Sequence, residues 1–212
     1  MTTKIVVMSD THGYHKDLVV PEGDILIHAG DVTSEGSFES FANFLRWLKG
    51  QPHKHKCFIG GNHDEVLDKH FSLVDGMIKE SGCIYLENDS CSVEGLKMWG
   101  SPITPRFGHW FFMEDRDKIG KYWEKIPEHL DVLVTHGPPY GILDFVHRTY
   151  GGHNVGCEAL LKKVKEVKPR FQIFGHIHGS YGKKKVGKTT YVNASSCNES
   201  YDIVNEPVVI DL

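Results

Sequence analysis

Five short β-branched runs in this chain stop in the same way. KIVVMS (4–9) runs into Asp10-Thr11-His12, and DILIHA (24–29) runs into Gly30-Asp31. KCFIGG (56–61) meets Asn62-His63-Asp64, DVLVTH (131–136) ends on His136, and FQIFGH (171–176) ends on His176 with His178 two residues on. Such runs read as strands. Several are apolar on both parities, the pattern of strands covered on both faces. A chain that builds a sheet from these runs delivers five polar, proton- or metal-binding ends to one place or to none.

The remaining runs complete an α/β reading. IYLEN (84–88), CSVEGLKMWGS (91–101), TTYVNAS (189–195) and PVVIDL (207–212) also read as strands. FESFANFLRWLKG (38–50) spaces Phe41, Phe44, Leu45 and Leu48 on one helical stripe, with Ser37 as its N-cap. Helices are also predicted over 64–82, 114–126 and 157–169, the last closed by Pro169. Helices falling between strands imply layers with helices outside sheets. With 212 residues and no repeat, linker or low-complexity tract, the chain is expected to form one domain over 1–212.

Composition narrows the classes of function. The formal charge is −4, which gives no general attraction to nucleic acid or anionic lipid. Its one basic run, Lys183 to Lys185, reads as a solvated hairpin turn. The five cysteines are scattered and form no CxxC pair, which fits reduced thiols in a cytoplasmic protein rather than a disulfide framework or a zinc-thiolate site. The N-terminus enters a strand with no cleavage signal, and no stretch of about 18 apolar residues suggests a membrane span. Histidine is abundant, with 14 residues, and the question is where they sit.

In parallel α/β sheets ligands bind beyond the carboxyl ends of the strands. Taken singly, each polar end has a plain structural explanation: a turn, a cap or a satisfied core histidine. Together, Asp10, His12, Asp31, Asn62, His136, His176 and His178 form a carboxylate, imidazole and carboxamide set without thiolate. That set suits Mn²⁺ first, with Fe, Zn²⁺, Co²⁺ or Ni²⁺ also compatible. Seven donors exceed one tetrahedral ion, so two divalent metal ions are the economical reading, with Asp31 as the shared carboxylate. Two ions about 3.5–4 Å apart can clamp a phosphoryl displacement.

In order, D-x-H, G-D, G-N-H-D, H and G-H-x-H, these motifs resemble the signature of the calcineurin-like metallophosphoesterases. The stretches SDTHG, GDILIHAGDVTSEG, THGPPYGILD, GCEALL and FGHIHGSYG further resemble the small metallophosphoesterase-domain-containing phosphodiesterases. The resemblance implies a four-layer α-β-β-α sandwich of two mixed sheets flanked by helices. It implies one ion on Asp10, His12, Asp31 and His178, and another on Asp31, Asn62, His136 and His176. It also implies that His63 contacts phosphate and protonates the leaving oxygen, with Asp64 fixing its orientation, after attack by a metal-bridging hydroxide. Gly175 and Gly179 would allow close approach to the cluster. The implied substrates are small phosphodiesters, cyclic nucleotides among them, or phosphomonoesters.

Two other readings stay open. One is a non-catalytic protein-binding scaffold with a vestigial metal site, although no ligand is missing here. The other is a nuclease of the same superfamily, although the chain has no room for the added capping segments and basic surfaces that long nucleic acid needs. For substrate contacts the candidates are Arg106 and His109 in SPITPRFGHW, and Arg148 and His153, with His147, in FVHRTYGGHN. A positive group there could grip a phosphate oxygen, while Phe107, Trp110 and Tyr150 could stack a ring or simply pack.

Overall fold

The computed structural model describes residues 2–147 and 151–212. In chain order the elements are β1 (Lys4–Met8), β2 (Ile25–Ala29), α1 (Phe38–Lys49), β3 (His55–Ile59), α2 (Glu65–Lys69), α3 (Asp75–Ser81), β4 (Ile84–Tyr85), β5 (Asp89–Val93), β6 (Leu96–Ser101), β7 (Thr104–Pro105) and β8 (Met113–Glu114). They continue with α4 (Gly120–Trp123), β9 (Val132–Thr135), β10 (Phe145–Val146), β11 (His153–Asn154), α5 (Glu158–Val167), β12 (Phe171–Phe174), β13 (Gly182–Val186), β14 (Thr189–Asn193) and β15 (Val208–Asp211). One sheet runs β15-β1-β2-β3-β4 and the other β13-β14-β12-β9-β6-β5. Both are mixed. Parallel centres (β1 to β4, and β14-β12-β9-β6) carry antiparallel edge strands β15, β13 and β5.

Strand parity sets the layers, because successive side chains leave a strand on opposite faces. Ile5, Val7, Ile25, Ile27, Cys57 and Ile59 of the first sheet cluster with Met98, Val132, Val134, Ile173 and Val192 of the second. That is the core between the sheets. The alternate residues face the helices. Phe58 packs against Phe41 and Phe44 of α1, and Trp99 meets Trp123 of α4 edge-on. The result is a four-layer α-β-β-α sandwich, and both faces of each sheet are covered, as the apolar strands require. Its two sheets are joined at their carboxyl ends by a bridge from Ser9, just past β1, to Ser195, just past β14.

α1 follows its sequence signals. Its buried stripe is Phe41, Phe44, Leu45 and Leu48, and the Ser37 hydroxyl accepts the Ser40 N–H at 3.2 Å. α5 likewise matches its prediction within two residues. Elsewhere local patterns were overridden. The run 91–101 is two strands of a hairpin, turned by Glu94 and Gly95 with φ of 51° and 79°; positive φ at both central residues is what a tight hairpin turn needs. The helix predicted over 64–82 breaks at His70 (φ −132°), and Phe71 thereby stacks on Tyr85 at 5.5 Å. Of 114–126 only Gly120–Trp123 is α-helical, because Met113–Glu114 pairs with Thr104–Pro105 instead. Lys183 to Lys185 lie on edge strand β13, not in a turn, where exposed lysines discourage pairing with another sheet. No helix among the described residues is long and apolar enough to cross a membrane.

Phe44 joins α1 to the first sheet and is fully buried, whereas Phe38 of the same helix is exposed. Phe44→Ala is expected to cost about 3–5 kcal/mol in urea unfolding, and Phe38→Ala about 0.5 kcal/mol or less. Equal, small costs would contradict the packing described.

Candidate metal centre

The carboxyl ends of β1, β2, β3, β9 and β12 converge. Several leave their strand through an unusual backbone turn. Asp10, His12, Asp31 and His176 all have left-handed φ, at 53°, 44°, 53° and 67°. For non-glycine residues this costs of order 1–3 kcal/mol each and persists only where surroundings enforce it. Here the enforcement is visible. The loops after β1 and β2 are zipped by Asp10 N–H to Gly30 O at 2.9 Å and His12 N–H to Asp31 O at 3.0 Å. His176 N–H donates to Asp10 Oδ2 at 2.9 Å, and His63 N–H donates to Asp31 Oδ1 at 2.8 Å. β12 ends at Phe174, and the turn at His176 aims His176 and His178. Gly175 and Gly61 leave no alternative. A Cβ on Gly175 would overlap the Asp10 carboxylate and Ser9, and one on Gly61 would overlap Asp31.

Three groups of donors lie close enough to hold a cation: Asp10, His12 and His178; His12, Asp31 and His63; and Asp31, His136 and His176. Asp31 and His12 each belong to two of them. His136 Nε2 lies 3.3 Å from Asp31 Oδ2 and 3.0 Å from Asn62 Oδ1. His178 Nε2 lies 3.5 Å from Asp10 Oδ1 and 3.3 Å from His12 Nε2. The structure thus brings together all seven side chains that the strand ends suggested.

The donor set fits divalent metal. His136 Nδ1 bonds the Ala29 carbonyl at 3.0 Å and His178 Nδ1 the Asn198 carbonyl at 2.9 Å. A carbonyl only accepts, so both Nδ1 atoms carry hydrogen and both Nε2 lone pairs turn inward. There they face other acceptors: a carboxylate, a carboxamide oxygen, another imidazole. Lone pairs converge in this way around a cation, or around a proton in its absence. The electrostatics agree. Burial would raise the Asp31 pKa, but the charge of His136, its hydrogen bond and the charge of His12 hold it well below the ordinary carboxylate value. Burial would lower His136, but the charge and hydrogen bond of Asp31 push it up to about 9. Burial holds His28, beneath the cluster on β2, down to about 3.

Asp64 departs from expectation. Its carboxylate accepts from Gly61 N–H (2.8 Å), Thr33 N–H (2.9 Å), Val32 N–H (3.2 Å) and the Thr33 hydroxyl (2.7 Å). It locks the β2 and β3 loops together and does not orient the His63 ring. Burial and the charge of Asp31 raise its pKa to about 6. The His63 ring is held instead by the Ser34 carbonyl, which bonds Nδ1 at 2.8 Å, and by Trp110, whose ring lies 4.3 Å away.

The proposed substrate contacts divide. Arg106 is paired with Asp115 at 2.7 Å and bonds the Met113 carbonyl, so its charge is used in holding β8. His109 is exposed and lines neither cavity beside the cluster. His153 lines the cavity beyond His176. Arg148 and Tyr150 lie outside the described residues. A cavity of about 240 Å³ opens over the metal-binding groups and is lined by His63, Phe107, Trp110, Glu199 and Tyr201 among others. Glu199 and Tyr201 were not anticipated. Tyr201 (φ 65°) packs edge-on against His12 at 4.8 Å and His178 at 5.2 Å. The available signal was that TTYVNAS is a parallel neighbour of β12, so the loop beyond it reaches the same edge.

Comparison with known proteins fits this geometry. The sequence pattern of the calcineurin-like phosphoesterases matches residues 3–180. Metallophosphoesterase domain-containing protein 1 of Homo sapiens is 40% identical over 235 residues, covering 99% of this chain and 71% of that protein. Among solved structures, TT1561 of Thermus thermophilus superposes with a TM-score of 0.64 at 13% identity, over 91% of this chain and 89% of that one. An archaeal phosphodiesterase superposes with a TM-score of 0.50 at 15% identity, over 99% of both chains.

The proton on His136 gives a pH test. Its folded pKa, about 9, lies above the ordinary 6.5, so its stabilisation is complete below 6.5 and is lost as pH rises through 9. Asp10 and Asp31, held low, lose their contribution only as pH falls through the acid range, and His28 loses its own below 6.5. A divalent ion held by His136 would take the place of that proton. The rise in Tm on adding Mn²⁺ to chelator-treated protein should therefore grow from pH 6.5 to about pH 8.5. Calorimetry showing a flat or shrinking increment would contradict it.

Proposed function

Because the chain belongs to the calcineurin-like phosphoesterase family, we propose that it hydrolyses small phosphodiesters or phosphomonoesters with two divalent metal ions, Mn²⁺ foremost. The family uses divalent metals, and phosphoester hydrolysis is the activity it supports. The observation that carries the finer reading is Asp31, whose carboxylate belongs both to the group with His12 and His63 and to the group with His136 and His176. In this reading Asp10, His12, Asp31 and His178 hold one ion, and Asp31, Asn62, His136 and His176 the other. The ions would supply positive charge for phosphoryl oxygens and make water more acidic.

The chain's own contribution centres on His63. Ser34 occupies Nδ1, so Nε2 is the nitrogen left for chemistry. In its imidazolium form His63 can pass the Nε2 proton to the departing oxygen, and Trp110 limits ring rotation while it does so. Asp64 acts one step back, through the loop that carries His63. A cavity of about 240 Å³ suits a small ester and not a long polymer. Five unpaired cysteines favour a reducing compartment, the cytoplasm.

With bis-p-nitrophenyl phosphate and Mn²⁺, His63→Ala should lower kcat by about 10²- to 10⁴-fold with metal content unchanged. Asp31→Asn should lose metal as well as activity. Equal rates in wild type and both variants would reject the mechanism. A metal-free, inactive protein that purifies in a stable complex would favour the scaffold reading.

A further inference from the structure

We propose that the cleft has a second compartment, beyond His176, that seats an uncharged apolar group of the phosphate ester: the aromatic or alicyclic portion of an alcohol. This rests on the phosphoesterase reading and adds the substrate class. The compartment measures about 330 Å³ and adjoins the metal-side cavity, for Phe107, Val146, His176 and Ile177 line both. An ester held at the metal-binding groups can therefore lay a bulky substituent past the His176 ring. About 150 Å³ is enough to hold a benzene, so one ring or two fused rings fit the space.

The walls say what kind of group belongs there. Pro105, Phe107, Pro138, Val146, Val155 and Ile177 supply apolar surface. Phe107 is 54% exposed, with its ring 5.1 Å from that of His176. A large ring left in water at the joint between two cavities is a surface awaiting an apolar partner. Among the described residues the compartment has one arginine, Arg116. Three of its five N–H donors are used, on the carbonyls of Gly156 at 2.9 Å and Val155 at 2.7 Å and on Glu158 at 2.7 Å. Fixed by these bonds, the guanidinium offers a flat face for stacking. His153, on β11, is the compartment's other polar side chain of note.

The test uses the metal-loaded full chain and three phosphonates: methylphosphonate, 1-naphthylphosphonate and 3-phosphonopropionate. Affinities are read by calorimetric titration and by inhibition of bis-p-nitrophenyl phosphate hydrolysis. The naphthyl compound should bind at least about tenfold more tightly than the methyl compound, a margin that one buried apolar group can supply. Val155→Asp, which places charge in the wall, should bring that ratio close to one. Phe107→Ala, at an exposed position that folding does not need, should lower it severalfold. No naphthyl preference in the wild type, tightest binding by the anionic tail, or the wild-type ratio retained in both variants would overturn the assignment while leaving the phosphoesterase reading intact. Failure of all three to bind, with no hydrolysis, would remove that reading and this inference together.

Discussion

Asp31 is a carboxylate taken almost entirely out of water, and the surrounding chain is arranged to keep it ionised. It is 2% exposed. An isolated buried charge is untenable, so a partner has to be supplied. His136 at 3.3 Å and His12 at 3.8 Å approach one oxygen, and the His63 N–H donates to the other at 2.8 Å. These partners come from the ends of β9, β1 and β3, so one carboxylate ties three strands to the end of β2. Without a cation those imidazoles must share protons to satisfy it. A divalent ion bound there would take up the same lone pairs, a metal in place of a proton.

That economy depends on strain accepted in advance. Four of the seven candidate ligands sit at left-handed φ, a backbone form disfavoured for residues bearing a Cβ. The parallel alignment of β1 with β2 holds three of them, because it sets Gly30 O opposite Asp10 N–H and Asp31 O opposite His12 N–H, and the Asp10 carboxylate holds the fourth, His176. Behind the strained turns lies the inter-sheet core of Ile5, Val7, Ile25 and Ile27, all essentially unexposed. The core and the site are thus one construction: burial fixes strand register, register fixes the turns, and the turns aim the ligands.

This is also why the convergence of these seven side chains was legible from sequence and other features were not. Strand ends are set by local apolar runs, and a donor one to four residues past such an end has little freedom. The helix 38–50 was legible for the same reason, its stripe and cap being local. The break at His70 was not, because it serves the stacking of Phe71 on Tyr85, a contact that no short window of the sequence contains. The hairpin inside 91–101 did carry a local sign, Gly95, hidden within a run apolar enough to pass for one strand. Asp64 was placed correctly in space and assigned the wrong partner. Its neighbour in sequence is His63, but its hydrogen bonds go to Gly61 and, across to the loop of a different strand, to residues 32 and 33.

The residues that would choose a substrate follow a different logic again. Phe107 and Trp110 come from the segment between β7 and β8, Val146 from β10, and Tyr201 from the loop beyond β14. They share no spacing, and none need be polar. A metal ligand must present one atom of a particular type at one point, which restricts it to a few residue types and leaves a pattern. A wall of a binding cavity needs only shape and apolar area, which many side chains supply equally well. Arg106 illustrates the hazard. It was a candidate phosphate contact for its charge, yet its guanidinium is used by Asp115 to hold the loop that carries Phe107. Charge in a loop beside a catalytic centre therefore informs on the loop's own architecture before it informs on the substrate.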